Sequence, residues 1–147
     1  MDRAQADVVG KALEVALAVL FVGLVTTLLY GGVVPAYGTA AGDAVAERTV
    51  ALAAERTQQA VPAVGRRVNA TARVDLPTTI AGAAYEVRVE NRTLVLDHPD
   101  PEIGARAQLA LPGTVETVDG RWRSGDDAVV RVRGNATEGL TVRLTER

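Results

Sequence analysis

From Val15 through Gly42 the chain carries no charged side chain, and the stretch through Val34 is built mainly from Val, Leu and Ala. At about 1.5 Å of rise per residue, a helix of that length spans the roughly 30 Å hydrocarbon core of a bilayer. The core helix of a small soluble domain seldom needs so many uninterrupted apolar positions, so the pattern predicts a single membrane crossing. The remainder of the 147 residues is ordered around that segment. Residues 1–11 form a polar head, 12–36 the transmembrane helix, 37–64 an amphipathic helical stalk and 65–147 a β-domain.

Orientation follows from the basic residues. Arg3 and Lys11 precede the span, whereas the first charges beyond it are Asp43 and Glu47. That bias places the amino terminus in the cytoplasm and the β-domain outside. Three acceptor triplets for N-linked glycan, at Asn69, Asn91 and Asn135, all fall on the outer side. The chain has no cysteine, so neither a disulfide framework nor a thiolate metal site is available and stability must come from packing. Aromatic residues make up only 3%, which leaves little material for base stacking and argues against a nucleic-acid partner.

Gly31-Gly32 and Pro35 predict a bend at the end of the span, because proline lacks an N–H and crowds the preceding turn. A second helix is expected from about Thr39 to Ala60, with Thr39 as N-cap, Asp43 in the first turn, and Pro62 and Gly65 as its stop. Val45 and Leu52, one heptad apart, together with Ala41, Ala44, Ala51 and Ala53, are its expected packing surface.

Beyond Arg67 the period changes to two. Tyr85, Val87 and Val89 alternate with charged residues, and Leu94-Val95-Leu96 follows Asn91-Arg92, which predicts a hairpin. Thr114 to Arg123 predicts a second, turning at Asp119-Gly120. Val130 and Val132, then Leu140, Val142 and Leu144, predict a third around Gly134 to Gly139. With shorter strands at Val68 to Leu76 and Ala105 to Leu111, the expected fold is α+β: a long transmembrane helix with a kinked helical extension, then a small antiparallel sheet or sandwich.

Little in the chain favours catalysis. The single histidine, His98, lies in Asp97-His98-Pro99-Asp100-Pro101-Glu102, whose acids could approach a hard cation, but two prolines make a rigid turn and the calcium-loop pattern with its central glycine is missing. Asp126-Asp127 is expected to be a loop. No nucleophile motif, phosphate loop or triad is present, so neither an enzyme, a cofactor nor a metal site is expected. Arg131, Arg133 and Arg143 form a cationic stripe that could meet an anionic glycan, a partner subunit or nucleic acid, although the commoner explanation is a solvated face balanced by nearby acids. Glu14, at the edge of the span, either forms an interfacial pair with Lys11 or meets a basic group of a neighbouring subunit.

The segment Arg3-Ala4-Gln5-Ala6-Asp7-Val8-Val9-Gly10, directly before the apolar helix, resembles the class III leader of archaeal type IV pilins. Tyr85 to Pro99, followed by Leu109-Ala110-Leu111-Pro112, is similar to the head domains of pilin-like proteins from halophilic archaea. Asp7 stands where the better known archaeal pilins usually carry proline. The resemblance implies cleavage between Ala4 and Gln5 by a prepilin peptidase, with Arg3 preceding the cut. It also implies a helix whose first half enters a membrane or filament core, and a β-domain at the outside. The expected function is therefore structural, as a subunit that packs against other pilin-like subunits through the helix. Gly23 would be one small contact point and Glu14 a paired acid. Two other roles for the same segment are a tether for a monomeric extracellular binding module and a secretory signal cut near Thr39-Ala40-Ala41, although the apolar run exceeds the roughly 7 to 15 residues of such signals.

Overall fold

The computed structural model describes residues 2–62, 67–135 and 137–147, with the side chains of 2–8 and 33–37 outside that description. Helix α1 runs over Asp2–Leu28 and a π-helical turn over Leu29–Val33, followed by α2 at Val34–Gln59. Seven strands follow: β1 Val68–Arg73, β2 Glu86–Glu90, β3 Thr93–Asp97, β4 Gly104–Gln108, β5 Val115–Arg123, β6 Ala128–Asn135 and β7 Gly139–Glu146. The class is α+β, with a mostly antiparallel sheet. Two compact units divide at Gly38/Thr39, within α2. The expected stop at Gly65 lies outside the described residues.

In the first unit the backbone hydrogen bonds widen to the π pattern where Gly31-Gly32 contributes no side-chain packing. The second unit carries the core. Thr39 lies inside α2 rather than at its start, so it is not the N-cap that the sequence suggested. The face of α2 that packs also differs from expectation. Val45 and Leu52 remain 45% and 46% exposed, while Ala46, Val50, Ala53 and Ala54 join the buried cluster of the sheet. Of the four alanines expected at that surface, only Ala53 is buried. Size decides the matter: Ala at three of these positions lets the helix axis come close to the strands, and the bulkier Val45 and Leu52 turn away. Thr49 and Thr57 are buried on the same face, and each hydroxyl donates to the carbonyl four residues earlier, at 2.7 Å, which satisfies its only donor.

Helix α2 lies along the edge strand β4. The Gly104 N–H donates to Asp43 Oδ1 at 3.3 Å, and the Ala110 N–H, just past β4, donates to Gln58 Oε1 at 3.1 Å. From Asp43 to Gln58 a helix rises about 22 Å, and from Gly104 to Ala110 a strand advances about 20 Å, so the two elements run side by side over matched lengths. Gly42 permits the close approach, since a Cβ there would stand 2.6 Å from Ile103 Cδ1. The helix thereby meets the edge strand at its two ends, and between those bonds a cavity of about 560 Å³ is lined by Glu47 and Ala51 of the helix and Gly104 to Ala107 of the strand.

The strand order is β1-β6-β7-β5-β2-β3-β4. The first and third hairpins form as expected: β2 pairs β3 with Val87 opposite Leu96, and β6 pairs β7 with Val132 opposite Val142. The turn between β2 and β3 has positive φ at both Asn91 (48°) and Arg92 (61°), the primed geometry that matches strand twist. Arg92 is an unusual occupant, and it is held there from both ends. Its guanidinium donates to Val115 O, and its carbonyl accepts from the Leu109 N–H at 2.8 Å.

The second expected hairpin does not exist. Asp119-Gly120 is the interior of one nine-residue strand, β5, which pairs β7 through Val115–Gly120 and β2 through Arg121–Arg123. Gly120 has φ +102°, and a Cβ on it would stand 2.1 Å from Leu144 O, so the dipeptide chosen for turning serves a close crossing of strands instead. The β5–β7 pairing is parallel, whereas an antiparallel sheet was expected. Chain direction explains it: β6 reverses β5, β7 reverses β6, and β7 rather than β6 is the neighbour of β5.

Trp122 is fully buried at the centre, its Nε1–H donating to Val129 O at 3.0 Å. Tyr85, the residue before β2, is also buried, with its hydroxyl donating to Pro77 O at 2.7 Å. Burial pushes the Tyr85 phenol from 10.0 up to about 12. The folded protein thus holds this proton more tightly than the unfolded chain, so its contribution is complete below pH 10 and disappears as pH climbs towards about 12. Tyr85→Phe is expected to cost about 1–3 kcal/mol at neutral pH, by stranding the Pro77 carbonyl, and to flatten the alkaline limb of a pH–stability curve from denaturant melts. Gly120→Ala is expected to cost at least about 2–3 kcal/mol, read from the same melts, whereas Gly113→Ala, where nothing lies within 4 Å, is expected to be nearly silent.

Candidate functional site

The feature that stands apart from the packed sheet is the apolar helix. Val9–Gly32, 24 residues, is long and apolar enough to cross a membrane, and none of its most apolar window is buried by the rest of the chain. Large side chains are exposed along it, including Leu13, Leu20, Phe21 and Leu28, with Tyr30 at 74%. Its two threonines are satisfied locally: Thr26 Oγ1 donates to Val22 O at 2.8 Å and Thr27 Oγ1 to Gly23 O at 2.9 Å. An apolar medium requires that arrangement, since it offers no other acceptor. Gly23 has open space around it. Lys11 and Glu14 are both exposed and form no ion pair with each other or with any other described residue, so the expected interfacial pair is not closed. The leader residues Arg3, Ala4 and Gln5 lie in the backbone of α1, their side chains outside the described residues.

The three glycan acceptors sit in different settings. Asn69 projects from β1 and is exposed, opposite Arg133 of β6. Asn91 is exposed at the β2–β3 turn. Asn135 ends β6, and its side chain is engaged: Oδ1 accepts from the Thr137 and Glu138 N–H groups at 2.9 and 2.7 Å, and Nδ2 donates to Glu138 Oε2 at 2.7 Å.

The acidic turn around His98 is organised on its own backbone. The Asp100 N–H donates to His98 Nδ1 at 3.0 Å, which leaves the ring proton on Nε2 to donate to Ile80 O at 2.9 Å. Asp100 Oδ1 accepts from the Glu102 N–H, and Asp97 pairs with Arg88. Among the described residues no group of three or more His, Cys, Asp or Glu side chains is placed to hold a metal ion.

The outward face of the sheet divides into two electrostatic halves. On β2, β3 and the end of β5 the charges are interleaved: Arg88 meets Glu90 at 2.8 Å and also Asp97, and Glu86 lies 3.7 Å from Arg121 and 3.6 Å from Arg123. Among the described residues only Arg143 of the β6 and β7 arginines is paired, with Asp119 through two bonds of 2.6 and 2.9 Å. The Arg143 guanidinium holds the Asp119 carboxyl below the usual carboxylate range. Arg131 and Arg133 form no hydrogen bond or ion pair among the described residues. The expected balance of the cationic stripe by nearby acids therefore holds for one of its three arginines. Sequence patterning placed these residues on one face but carried no signal for which cross-strand partner each would find.

No curated protein and no solved structure matches the chain. Residues 1–145, apolar helix and sheet together, match the model of a family of unknown function, DUF7266, and the chain belongs to that family.

Proposed function

We propose that the protein is a pilin-like or pseudopilin-like structural subunit, anchored by one membrane crossing and assembling with other such subunits through its amino-terminal helix. The observation that carries this is the 24-residue apolar helix, which finds no burial within its own chain. A helix with that surface needs lipid or other helices around it. The outward face of α2 adds Val45 and Leu52 as half-exposed apolar side chains, a second surface available to neighbouring helices. Glu14 has no partner among the described residues, which favours a basic group on a neighbouring subunit. The π turn at Leu29–Val33 supplies a loosened joint where a bend between membrane and stalk would form.

In this role the amino terminus is cytoplasmic, the β-domain is extracellular, and Asn69 and Asn91 are the acceptors best exposed to a glycan-transferring enzyme. A prepilin peptidase would cut after Ala4. Mass spectrometry of the native amino terminus is expected to show a chain beginning at Gln5 that retains the apolar helix; a start near Gly42 would instead make the segment a secretory signal.

Assembly distinguishes a subunit from a tether. Gly23→Leu raises apolarity, so membrane insertion is expected to persist, while the ratio of sheared filament to membrane fraction falls. Glu14→Gln is expected to lower the ratio less. Wild-type protein that never enters a high-molecular-weight sheared fraction, with candidate partner pilins co-expressed, would leave the monomeric extracellular binding module as the function.

A further inference from the structure

We infer that the outward face of β6 and β7 is a binding site for an anionic polysaccharide bearing carboxylates, held by Arg131, Arg133 and Arg143 with Thr141. It does not depend on whether the helix builds a filament or tethers a monomer. A groove of about 270 Å³ is lined by these four residues. That volume lies just below the range of pockets for drug-sized molecules, and suits one sugar unit of a chain at a time.

Three observations point to an anion. Arg131 and Arg143 are directly opposed in the β6–β7 register, an arrangement of like charges that weakens a sheet, and Arg133 is opposite Thr141 rather than an acid. Asp119 neutralises only Arg143, which leaves two guanidinium groups without a counter-charge. In the other half of the same sheet Arg88 and Arg121 are also directly opposed, but there Arg88, Arg121 and Arg123 all meet acids. Retaining an unbalanced cluster beside a balanced one is accounted for by a ligand that supplies the missing negative charge.

The chemistry of the groove selects the class. Guanidinium forks match carboxylates, as they match phosphates, with paired hydrogen bonds. Arg131 and Arg133 are spaced about 6.7 Å along one strand, which sets two charges in line along it. Thr141 offers a hydroxyl that can donate to or accept from a sugar hydroxyl. Among the described residues no aromatic side chain lines the groove, which leaves it without the platform on which single-stranded nucleic acids stack their bases. Exposed Thr71 of β1, opposite Arg131, continues the polar face.

The test is calorimetric titration of the full chain in neutral detergent with oligogalacturonate, at low and high salt. Saturable, salt-weakened binding is expected for the wild type, and none for the fully methyl-esterified oligosaccharide. The double variant Arg131→Gln, Arg133→Gln is expected to bind about tenfold or more weakly. It should melt no lower than wild type, because the opposed charges have been relieved. Arg121→Gln with Arg123→Gln, on the balanced half, should keep affinity within about twofold, since those side chains are outside the groove. Absence of wild-type binding, equal loss in the two double variants, or equal binding of the esterified ligand would overturn the proposal. A single-stranded oligonucleotide of equal charge that binds as tightly would also overturn it and assign the face to phosphate.

Discussion

The seam between α2 and β4, two hydrogen bonds at the ends of the strand, sets how the helix lies on the β-domain. Edge strands are costly to leave open, and β4 is one edge of the seven-strand order. Asp43 and Gln58 reach backbone N–H groups at the two ends of β4, and between them the helix lays down a thin face of Ala46, Val50, Ala53 and Ala54. Small residues are needed because the helix must approach closely enough for carboxylate and amide groups to reach the strand. The seam also determines which side chains α2 leaves outward. With the small residues turned in, Val45 and Leu52 remain at the surface, where neighbouring helices would find them.

Strand β5 plays the corresponding part at the centre. One half of the sheet hangs from its amino-terminal portion through β7, and the other from its carboxy-terminal portion through β2. Only glycine can stand at position 120, where the backbone of Leu144 occupies the space a side chain would need. Trp122, two residues on, then fills the core. Backbone clearance and core filling are therefore encoded within three consecutive positions.

The outward face shows how a sheet with a uniform apolar interior can carry two electrostatic surfaces. Cross-strand pairing neutralises the arginines on β2 and β5, and a single aspartate does so for Arg143. Isolated exposed ion pairs add little stability, so the difference between the halves has small consequences for folding. Its consequences lie in what the surface attracts, since an unpaired cluster projects a field into solvent that a paired one cancels.

Much of the fold was legible along the chain because it rests on local periodicity. The apolar run through Val34, the alternation in β2, β3, β6 and β7, and the Asn91-Arg92 turn each follow from side-chain period and backbone preference within a few residues. What the sequence left open concerns neighbours distant along the chain. Asp119-Gly120 has the chemistry of a turn, and only the packing of Leu144 against it reveals a strand crossing. Val45 and Leu52 have the hydropathy of a buried face, and only the reach of Asp43 and Gln58 to β4 shows that the thinner alanine face must turn inward. Arg131, Arg133 and Arg143 share a face by period alone, but Asp119 is 24 residues from Arg143 in the chain, so which guanidinium is neutralised was settled by strand order. Composition and period thus determined the elements and the apolar span, and tertiary structure decided their partners, because a partner is set by proximity in space that no local pattern encodes.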